Sequence, residues 1–432
     1  MKKFLVLIFI LFTPLLLKSQ PKIEVGGLLK IFNFFHSNTD FTNATDDGNN
    51  YMFIHGDIHT MVDFGDSISA FIMLGAWGQH GMNPYYCGGI GENVDPGARL
   101  LQAYFNINNL FDSPVSLRIG KECILYGDGA LLCSGPEDGV EGIKLMFNNK
   151  YVDADIFFYR AAQFGGIGLL GTGTDIYQGN WNVYGLYPTI KLANNKLKIS
   201  PYFAIRHVKA GKDSTNAPIW YGGRLQVNPI EGLNLVAEYT RMDGTNDLNK
   251  TDYAGTHIRL GADYNFDKPL LGIGGYYVAI SGDDGSTNDK NETYESVLNT
   301  PYANTLYKDW PGFGPAHLMT TSFGISGLNQ YNSTVVNLNV INGHVSYSVG
   351  ALTLRGDFFM YKKDWVPDGV EDGFGNEIAL LIKYNYKNNL TIGFTGGIWM
   401  PGDYQKSQVA ISGSGAEAEN AIGGYLWIAK SF

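Results

Sequence analysis

Charged side chains recur at alternate positions in several short segments, and this spacing decides what chemistry they could perform. Between Leu352 and Met360, for example, apolar residues alternate with Thr353, Arg355 and Asp357. Successive side chains of an extended chain point to opposite faces, so each such segment has one apolar and one polar face. The same pattern predicts that eight basic residues and one acid, Glu122, lie on the polar faces. The basic residues are Arg118, Lys144, Arg206, Arg224, Arg259 and Arg355, with Lys198 and Lys383.

Two interpretations of these cations remain open from the sequence. A row of basic residues inside a pore could guide an anionic solute through it. The cations could instead form ion pairs that stiffen the wall, because acids occur on the same faces in similar numbers: Glu122, Asp153, Asp155, Glu238, Asp263 and Asp357.

The other motifs argue against an enzyme, a metal site or a bound cofactor. His55 and His59 share one face of an extended segment, but four residues span roughly 13 Å, which one ion cannot bridge. The string GIGLLG at 166–171 has the glycines of a dinucleotide fingerprint, yet no helix is predicted after it. A hydrolase needs a nucleophile, a histidine and an orienting group, and no motif supplies them together. We therefore expect no catalytic residue, no cofactor and no metal.

The N-terminus of this chain of 432 residues is organised like a secretory signal peptide. Lys2 and Lys3 precede an apolar run from Phe4 to Leu17, which is shorter than the about 20 residues of a spanning helix. We expect residues 1–20 to be the signal peptide and residues 21–432 to form one domain. The 27 Tyr, 25 Phe and 55 Gly, with only 17% charged residues, favour β structure in that domain.

Segments of about ten residues with one apolar face follow one another along the chain, and we count 18 of them. Short turns and long connections alternate between them, as in transmembrane barrels with short periplasmic turns and long extracellular loops. Charged side chains of the strands are expected only on the inner face, because a Lys or Arg that faces lipid at mid-membrane costs about 2–4 kcal/mol. The sequence thus predicts an all-β, antiparallel, up-and-down barrel of about 18 strands in the outer membrane of a Gram-negative bacterium.

The connection between the fifth and sixth segments is the most distinctive one. It contains Tyr126 and Asp128, and together with Glu141 these residues are predicted to form a loop folded over the pore mouth. Cys123 and Cys133 bracket the loop. They could form a disulfide in an oxidising compartment, leaving Cys87 unpaired, or all three could remain thiols.

The stretch from Arg118 to Leu145 resembles the signature region of the alginate export family of outer-membrane barrels. The matching residues are Arg118, Gly120, Tyr126, Gly127, Asp128, Leu131 and Gly142, while Glu141 and Lys144 keep the family's charges. Glu122 and Ala130 depart from it, since the family has glutamine and arginine there. The resemblance implies an 18-strand barrel that passes an anionic polysaccharide, such as alginate, or a smaller organic solute.

Two functional hypotheses follow from these observations. The first is a passive outer-membrane channel for anionic solutes. The second is a non-conducting barrel that serves as an adhesin or structural platform through its long loops, above all residues 281–332. In either case the expected partners are outer-membrane lipid and the barrel assembly machinery, which reads a terminal aromatic residue such as Phe432. The net charge of −10 argues against nucleic acid.

Overall fold

The computed structural model describes residues 21–38, 43, 48–80, 99–127, 131–134, 139–161, 181–209, 215–247, 250–267, 270–297, 337–387, 389–411 and 417–432. The predicted signal peptide, residues 1–20, lies outside these ranges and stays a prediction.

Within the described ranges, eighteen long strands follow one another along the chain. The first nine are β1 (Lys22–Ser37), β2 (Asn49–Gly65), β3 (Ile68–His80), β4 (Arg99–Ile107), β5 (Val115–Glu122), β6 (Val140–Asn148), β7 (Val152–Ala161), β8 (Trp181–Leu192) and β9 (Leu197–Lys209). The second nine are β10 (Thr215–Val227), β11 (Leu233–Asn246), β12 (Thr256–Asn265), β13 (Leu271–Ile280), β14 (Leu338–Val349), β15 (Leu352–Lys362), β16 (Gly373–Tyr386), β17 (Leu390–Pro401) and β18 (Ala421–Ser431).

These strands form a closed barrel, because each pairs antiparallel with the next and β1 pairs with β18. At the closure Phe34 lies opposite Tyr425, and the backbones of Gly27 and Phe432 exchange two hydrogen bonds. Closure leaves no strand edge without a hydrogen-bonding partner, which a barrel in lipid requires. The predicted antiparallel barrel of 18 strands is confirmed.

Turns at one end of the barrel are short and loops at the other end are mostly long. The turns comprise two to seven residues, for example 66–67 and 108–114, whereas the loops include 123–139 and 281–337. Two loops, 210–214 and 247–255, are shorter than the others because the flanking strands continue further. By the usual asymmetry of such barrels, the turn end is periplasmic and the loop end extracellular.

The outer and inner faces of the barrel differ in chemistry. Outward apolar side chains such as Ile156, Leu260 and Leu426 are half or more exposed, as expected for side chains that contact lipid. Inward side chains on the same strands, such as Tyr159 and Arg259, are buried. The closed wall with an apolar outer surface is that of an outer-membrane β-barrel.

Among the described residues, no helix is long and apolar enough to cross a bilayer.

Three connections at the loop end have structure of their own. A two-stranded ladder joins Leu125–Tyr126 to Leu132–Cys133 within loop 123–139. The start of loop 281–337 pairs with the segment before β12 through Lys290–Asn291 and Thr251–Tyr253. A short helix, α1 (Asp403–Ile411), precedes β18, and its Gln405 accepts a hydrogen bond of 2.9 Å from the indole of Trp399.

Candidate functional site

A carboxylate shared by two cations lies on the inner wall at strands β5–β7. The register places Arg118 directly opposite Lys144. The Glu122 carboxylate accepts hydrogen bonds from Arg118 Nη1 at 2.6 Å and Lys144 Nζ at 2.7 Å through one oxygen, and from the Tyr159 hydroxyl at 2.8 Å through the other. Asp155 of β7 lies close enough to interact with both cations, so the patch combines two cations with two carboxylates.

Two glycines allow this cluster to form. Gly120 and Gly142 are paired across β5 and β6, one step from Arg118 and Lys144. Gly120 has a φ of +139°, and a Cβ at this position would collide with the carbonyl of Ala103. A Cβ at Gly142 would collide with the ring of Tyr159. The missing side chains therefore leave the space across which Tyr159 reaches Glu122.

Loop 123–139 folds into the lumen rather than projecting from the barrel. The Tyr126 ring stacks on Phe157 at 5.0 Å between centroids, and its hydroxyl donates a 2.7 Å hydrogen bond to the Asp155 carboxylate. Burial raises the pKa of the Tyr126 phenol, so it remains a proton donor. Gly127 lies so close to Glu238 of β11 that a Cβ would collide with the carboxylate. The loop thus crosses the lumen from β7 towards β11.

The start of loop 281–337 also lies inside the barrel and meets the first loop there. Arg206 Nη1 donates to the Val297 carbonyl at 3.1 Å, and the Trp220 indole donates to the Glu295 carbonyl at 2.7 Å. The backbone N–H of Val297 donates to the Leu131 carbonyl at 2.9 Å. Two loops distant in sequence are therefore joined to one another and to the inner wall, which narrows the lumen near its extracellular end.

Tyr294 fills the space between this second loop and strand β12. Its ring lies 5.4 Å from that of His257, and both residues are buried. Burial raises the pKa of Tyr294, so its phenol stays neutral. On the neighbouring strands the Tyr202 hydroxyl donates to the Glu238 carboxylate at 3.0 Å. This part of the lumen is packed like a protein core that contains a few polar groups.

A second ionic network lines the wall at β12–β15. The Arg355 guanidinium donates two hydrogen bonds, at 2.8 and 2.9 Å, to the Asp357 carboxylate. The Asn342 amide donates to the same carboxylate at 3.1 Å, and His344 lies between Asn342 at 2.9 Å and Asp263 at 3.1 Å. Arg355 is thus an ion-paired cation, as one of the two sequence interpretations expected.

The remaining inward cations differ in exposure. Arg259 is buried, with its guanidinium 5.4 Å from the centre of the Tyr276 ring. Arg224 is half-buried and donates to the Gln226 side chain at 3.2 Å. The register also places Lys198 and Lys383 on the inner face, where both are half-buried. The predicted inward cations therefore all project into the lumen, and they range from buried to water-accessible.

The structure contradicts the placement of Glu141 in the pore-mouth loop. Glu141 belongs to β6, is exposed, and pairs in register with Lys121 and Arg160 on the outer face. The reason is the alternation of the strand: Lys144 faces the lumen, so a residue three positions away must face outward. Glu141 therefore cannot contact a solute in the lumen.

Two further predictions in this loop lie at the limit of the described residues. Asp128 is outside them, so its place at the pore mouth stays a prediction. The backbone of Cys133 pairs with Leu125, two residues from Cys123, while the side chain of Cys133 is outside the described part. A disulfide between Cys123 and Cys133 remains a prediction.

Sequence reasoning missed the aromatic residues that hold the two loops. Trp220, Tyr294 and Tyr159 were assigned no role, although each anchors a loop or a charged residue. Their position along the strands could have identified them, because Trp220 and Tyr159 lie on the same face of their strands as the charged residues. A large aromatic residue on the polar face of a barrel strand indicates that something packs against it.

Comparison with known proteins gives a structural likeness and no sequence match. No protein-family model matches the chain, and no curated protein matches it. The structure is similar to OpdO of Pseudomonas aeruginosa, with a TM-score of 0.59, 10% identity and coverage of 95% of this chain and 97% of that one. OccK2 (OpdF) of the same species, solved in complex with glucuronate, is similar with a TM-score of 0.59 and 8% identity, over 95% of this chain and 96% of that one. A BenF-like porin from Pseudomonas fluorescens Pf-5 is similar with a TM-score of 0.58 and 11% identity, over 95% of this chain and 98% of that one.

These likenesses extend over nearly the whole length of each chain and agree with the strand count. At identities of 8% to 11% they establish the fold, which is that of a porin-like outer-membrane barrel. They give no support to membership of the alginate export family, which rests on the short stretch from Arg118 to Leu145. The chain therefore has the architecture of known outer-membrane porins.

Proposed function

We propose that this protein is a passive outer-membrane channel for small anionic solutes. The observation that carries the proposal is the partly exposed cation Arg118, held with Lys144 on the inner wall beside the loop that narrows the lumen. The side chain of Arg118 retains 24% of its exposure, so a solute can reach its guanidinium. Its Nε and Nη1 already donate to Asn106 and Glu122, so Arg118 would act on a passing carboxylate mainly through its positive charge.

A sugar acid or another small carboxylate fits this lumen better than a polymer. The two inward-folded loops narrow the extracellular half, and a polysaccharide would need a wide, continuous path. The structural neighbour OccK2 was solved with glucuronate, a carboxylate of that size class. Alginate is supported only by the resemblance around Arg118 to Leu145.

A non-conducting barrel is the second candidate, and one observation favours it. Loop residues such as Leu131 and Val297 belong to a buried cluster that continues into the wall residues Trp220, Tyr361 and Trp399. A lumen filled in this way could block ion flow. The described parts of loops 123–139 and 281–337 pack inward, however, and so do not form an outward surface for an adhesin.

Single-channel recording of the purified protein in planar bilayers separates the two candidates. The channel hypothesis expects discrete conductance steps and, in a salt gradient, a reversal potential that indicates anion preference. Addition of glucuronate should reduce the chloride current by competition, whereas uncharged glucose should not. The absence of conductance under any gradient contradicts the channel. Cation preference with no effect of glucuronate contradicts the anion selectivity.

A further inference from the structure

The outer face of strands β5–β9 has a row of polar residues that the channel function does not use. Register pairs the members in sequence around the barrel: Lys121 with Glu141, Glu141 with Arg160, Arg160 with Asn182, and Asn182 with His207. All five lie within three residues of the loop end of their strands. The row is therefore continuous across five strands at the extracellular end of the outer face.

The row directly below it is entirely apolar or aromatic. Ile119, Ile143, Phe158, Tyr184 and Ile205 are paired in the same order, and the Phe158 and Tyr184 rings are 5.0 Å apart. The next row down comprises Leu117, Leu145, Ile156, Leu186 and Phe203. An aromatic and aliphatic band bounded by charged residues marks the level where acyl chains meet lipid headgroups. The polar row thus lies at the headgroups of the outer leaflet.

Arg160 is the centre of this polar row. It is exposed, and it makes no hydrogen bond or ion pair with any residue in the described ranges. Lys121 donates one hydrogen bond to the Leu100 carbonyl at 2.8 Å and keeps further N–H donors. Glu141 stands between the two cations, and no ion pair joins it to either of them within the described part. The long side chains of Arg and Lys can lie along apolar surface while their charges reach the headgroup layer.

We infer that Arg160 and Lys121 form a site for an outer-leaflet lipid whose headgroup bears phosphate. The guanidinium of Arg160 would bind the phosphate through two parallel N–H···O hydrogen bonds, with Lys121 as the second positive charge. The acyl chains would lie on the shelf formed by Ile119, Ile143 and Phe158. The site is on the outside of the barrel, so it is independent of what passes through the lumen.

Arg241 provides a matched comparison on the same outer face. It also faces outward near the loop end of its strand, but its Nε donates to Asp243 at 2.9 Å, and Asp243 accepts in addition from the Tyr221 hydroxyl. An arginine already paired with a carboxylate has fewer free N–H donors and less uncompensated charge for binding a phosphate. The two positions therefore separate phosphate binding by a particular arginine from a general effect of outward positive charge.

The test is native mass spectrometry of the full barrel in detergent, titrated with diphosphorylated lipid A or with the same lipid A after removal of both phosphates. We expect Arg160→Gln to weaken binding of the phosphorylated form about tenfold, which corresponds to the loss of one strong charge-assisted contact. Arg241→Gln should bind like the wild type, and Glu141→Gln should bind as tightly or more tightly because a neighbouring negative charge is removed.

Several results overturn the inference. One is wild-type affinity of Arg160→Gln for phosphorylated lipid A. Another is an equal loss of that affinity in Arg160→Gln and Arg241→Gln. A third is equal binding of the phosphorylated and phosphate-free lipids. Arg160 has no partner in the described part of the chain, so the variant is expected to fold, and an unchanged heat-dependent shift in gel mobility verifies this before binding is measured.

Discussion

Arg206, near the loop end of β9, and Arg224, near the turn end of β10, both project into the lumen but lie in different surroundings. Arg206 is 3% exposed and is covered by loop 281–337, whose Val297 carbonyl it binds. Arg224 is half-buried. Arg259 is buried like Arg206, whereas Arg118 and Arg355 remain partly exposed like Arg224. The same residue type therefore anchors loops in the extracellular half and faces the solute path in the periplasmic half.

Because of this difference, the width of the channel and its ion preference should depend on different arginines. Cations buried beneath a loop cannot contact a solute, but they determine whether the loop stays in place. Partly exposed cations on the bare wall act on any ion that passes. Variants in the two halves should consequently change different measured quantities, conductance in one case and ion preference in the other.

The largest effect is expected when the anchors of the second loop are removed together. Arg206→Met combined with Trp220→Ala deletes two side-chain hydrogen bonds to residues 295–297 and the ion pair of Arg206 with Glu295. Truncating a buried Trp costs about 3–5 kcal/mol, which is large for a segment held by local contacts. We expect the loop to leave the lumen and single-channel conductance to rise several-fold. Leu225→Ala, on the outer face of β10, is the control, and an equal rise in that variant would contradict loop anchoring.

The next effect concerns the shared carboxylate of Glu122 at the loop end of β5. Glu122→Gln removes the carboxylate that Arg118 and the buried Lys144 both contact. Removing one partner of a buried ion pair costs about 3–5 kcal/mol, and partial exposure of Arg118 favours the lower end. Urea unfolding should show a loss of about 3 kcal/mol.

Asp372→Asn gives the matched control for Glu122→Gln. Asp372 forms an ion pair of 3.2 Å with Lys362, and both side chains are about half exposed. Such a surface pair contributes less than about 1 kcal/mol. Equal losses of stability in the two variants would mean that Glu122 is no more than a surface charge.

A smaller effect is expected on selectivity when cations of the two halves are exchanged for neutral residues. Arg118→Gln with Arg224→Gln should lower the anion-to-cation permeability ratio several-fold, measured by reversal potentials in asymmetric salt, because both guanidinium groups act on passing ions. Arg259→Met removes a cation that is 1% exposed and should leave the ratio nearly unchanged. If Arg259→Met shifts the ratio as strongly as the double variant, the division into two halves is wrong.

Local alternation was enough to predict the barrel wall. The pattern around Arg355 and Leu354 correctly separates the lumenal face from the lipid face, because each strand has its own hydrogen-bonding partners and its own two faces. Alternation also predicts that Glu141 faces outward, because Lys144, three residues later in the same strand, faces the lumen. The strand count and the loop asymmetry follow from the same pattern repeated along the chain.

The interior of the barrel could not be predicted in this way. The hydrogen bond from Val297 to Leu131 joins residues of two different loops, and no periodicity in either loop indicates it. Helix α1 was missed as well, because its stretch from Asp403 to Ile411 is short and its stability depends on contacts such as the one between Gln405 and Trp399. Loop positions inside a closed wall are decided by packing, which a single sequence records only as unexplained inward aromatic residues.

The smallest expected effect tests desolvation of a cation at the extracellular end. Lys363, in the connection after β15, lies over the rings of Phe374 at 4.6 Å and Tyr404 at 5.5 Å, and burial lowers the pKa of its ammonium group. Between the lowered pKa and the ordinary value of 10.5, Lys363 binds more protons in the unfolded chain than in the folded one, so this residue contributes a rise of stability with pH in that window. Lys363→Met should abolish this slope and change stability by less than about 1 kcal/mol at neutral pH, measured by urea unfolding at a series of pH values. Lys362→Met alters the neighbouring exposed lysine and should leave the slope intact. If the slope persists in Lys363→Met, this lysine is not desolvated, and the extracellular half is more open to water than the packing of its loops indicates.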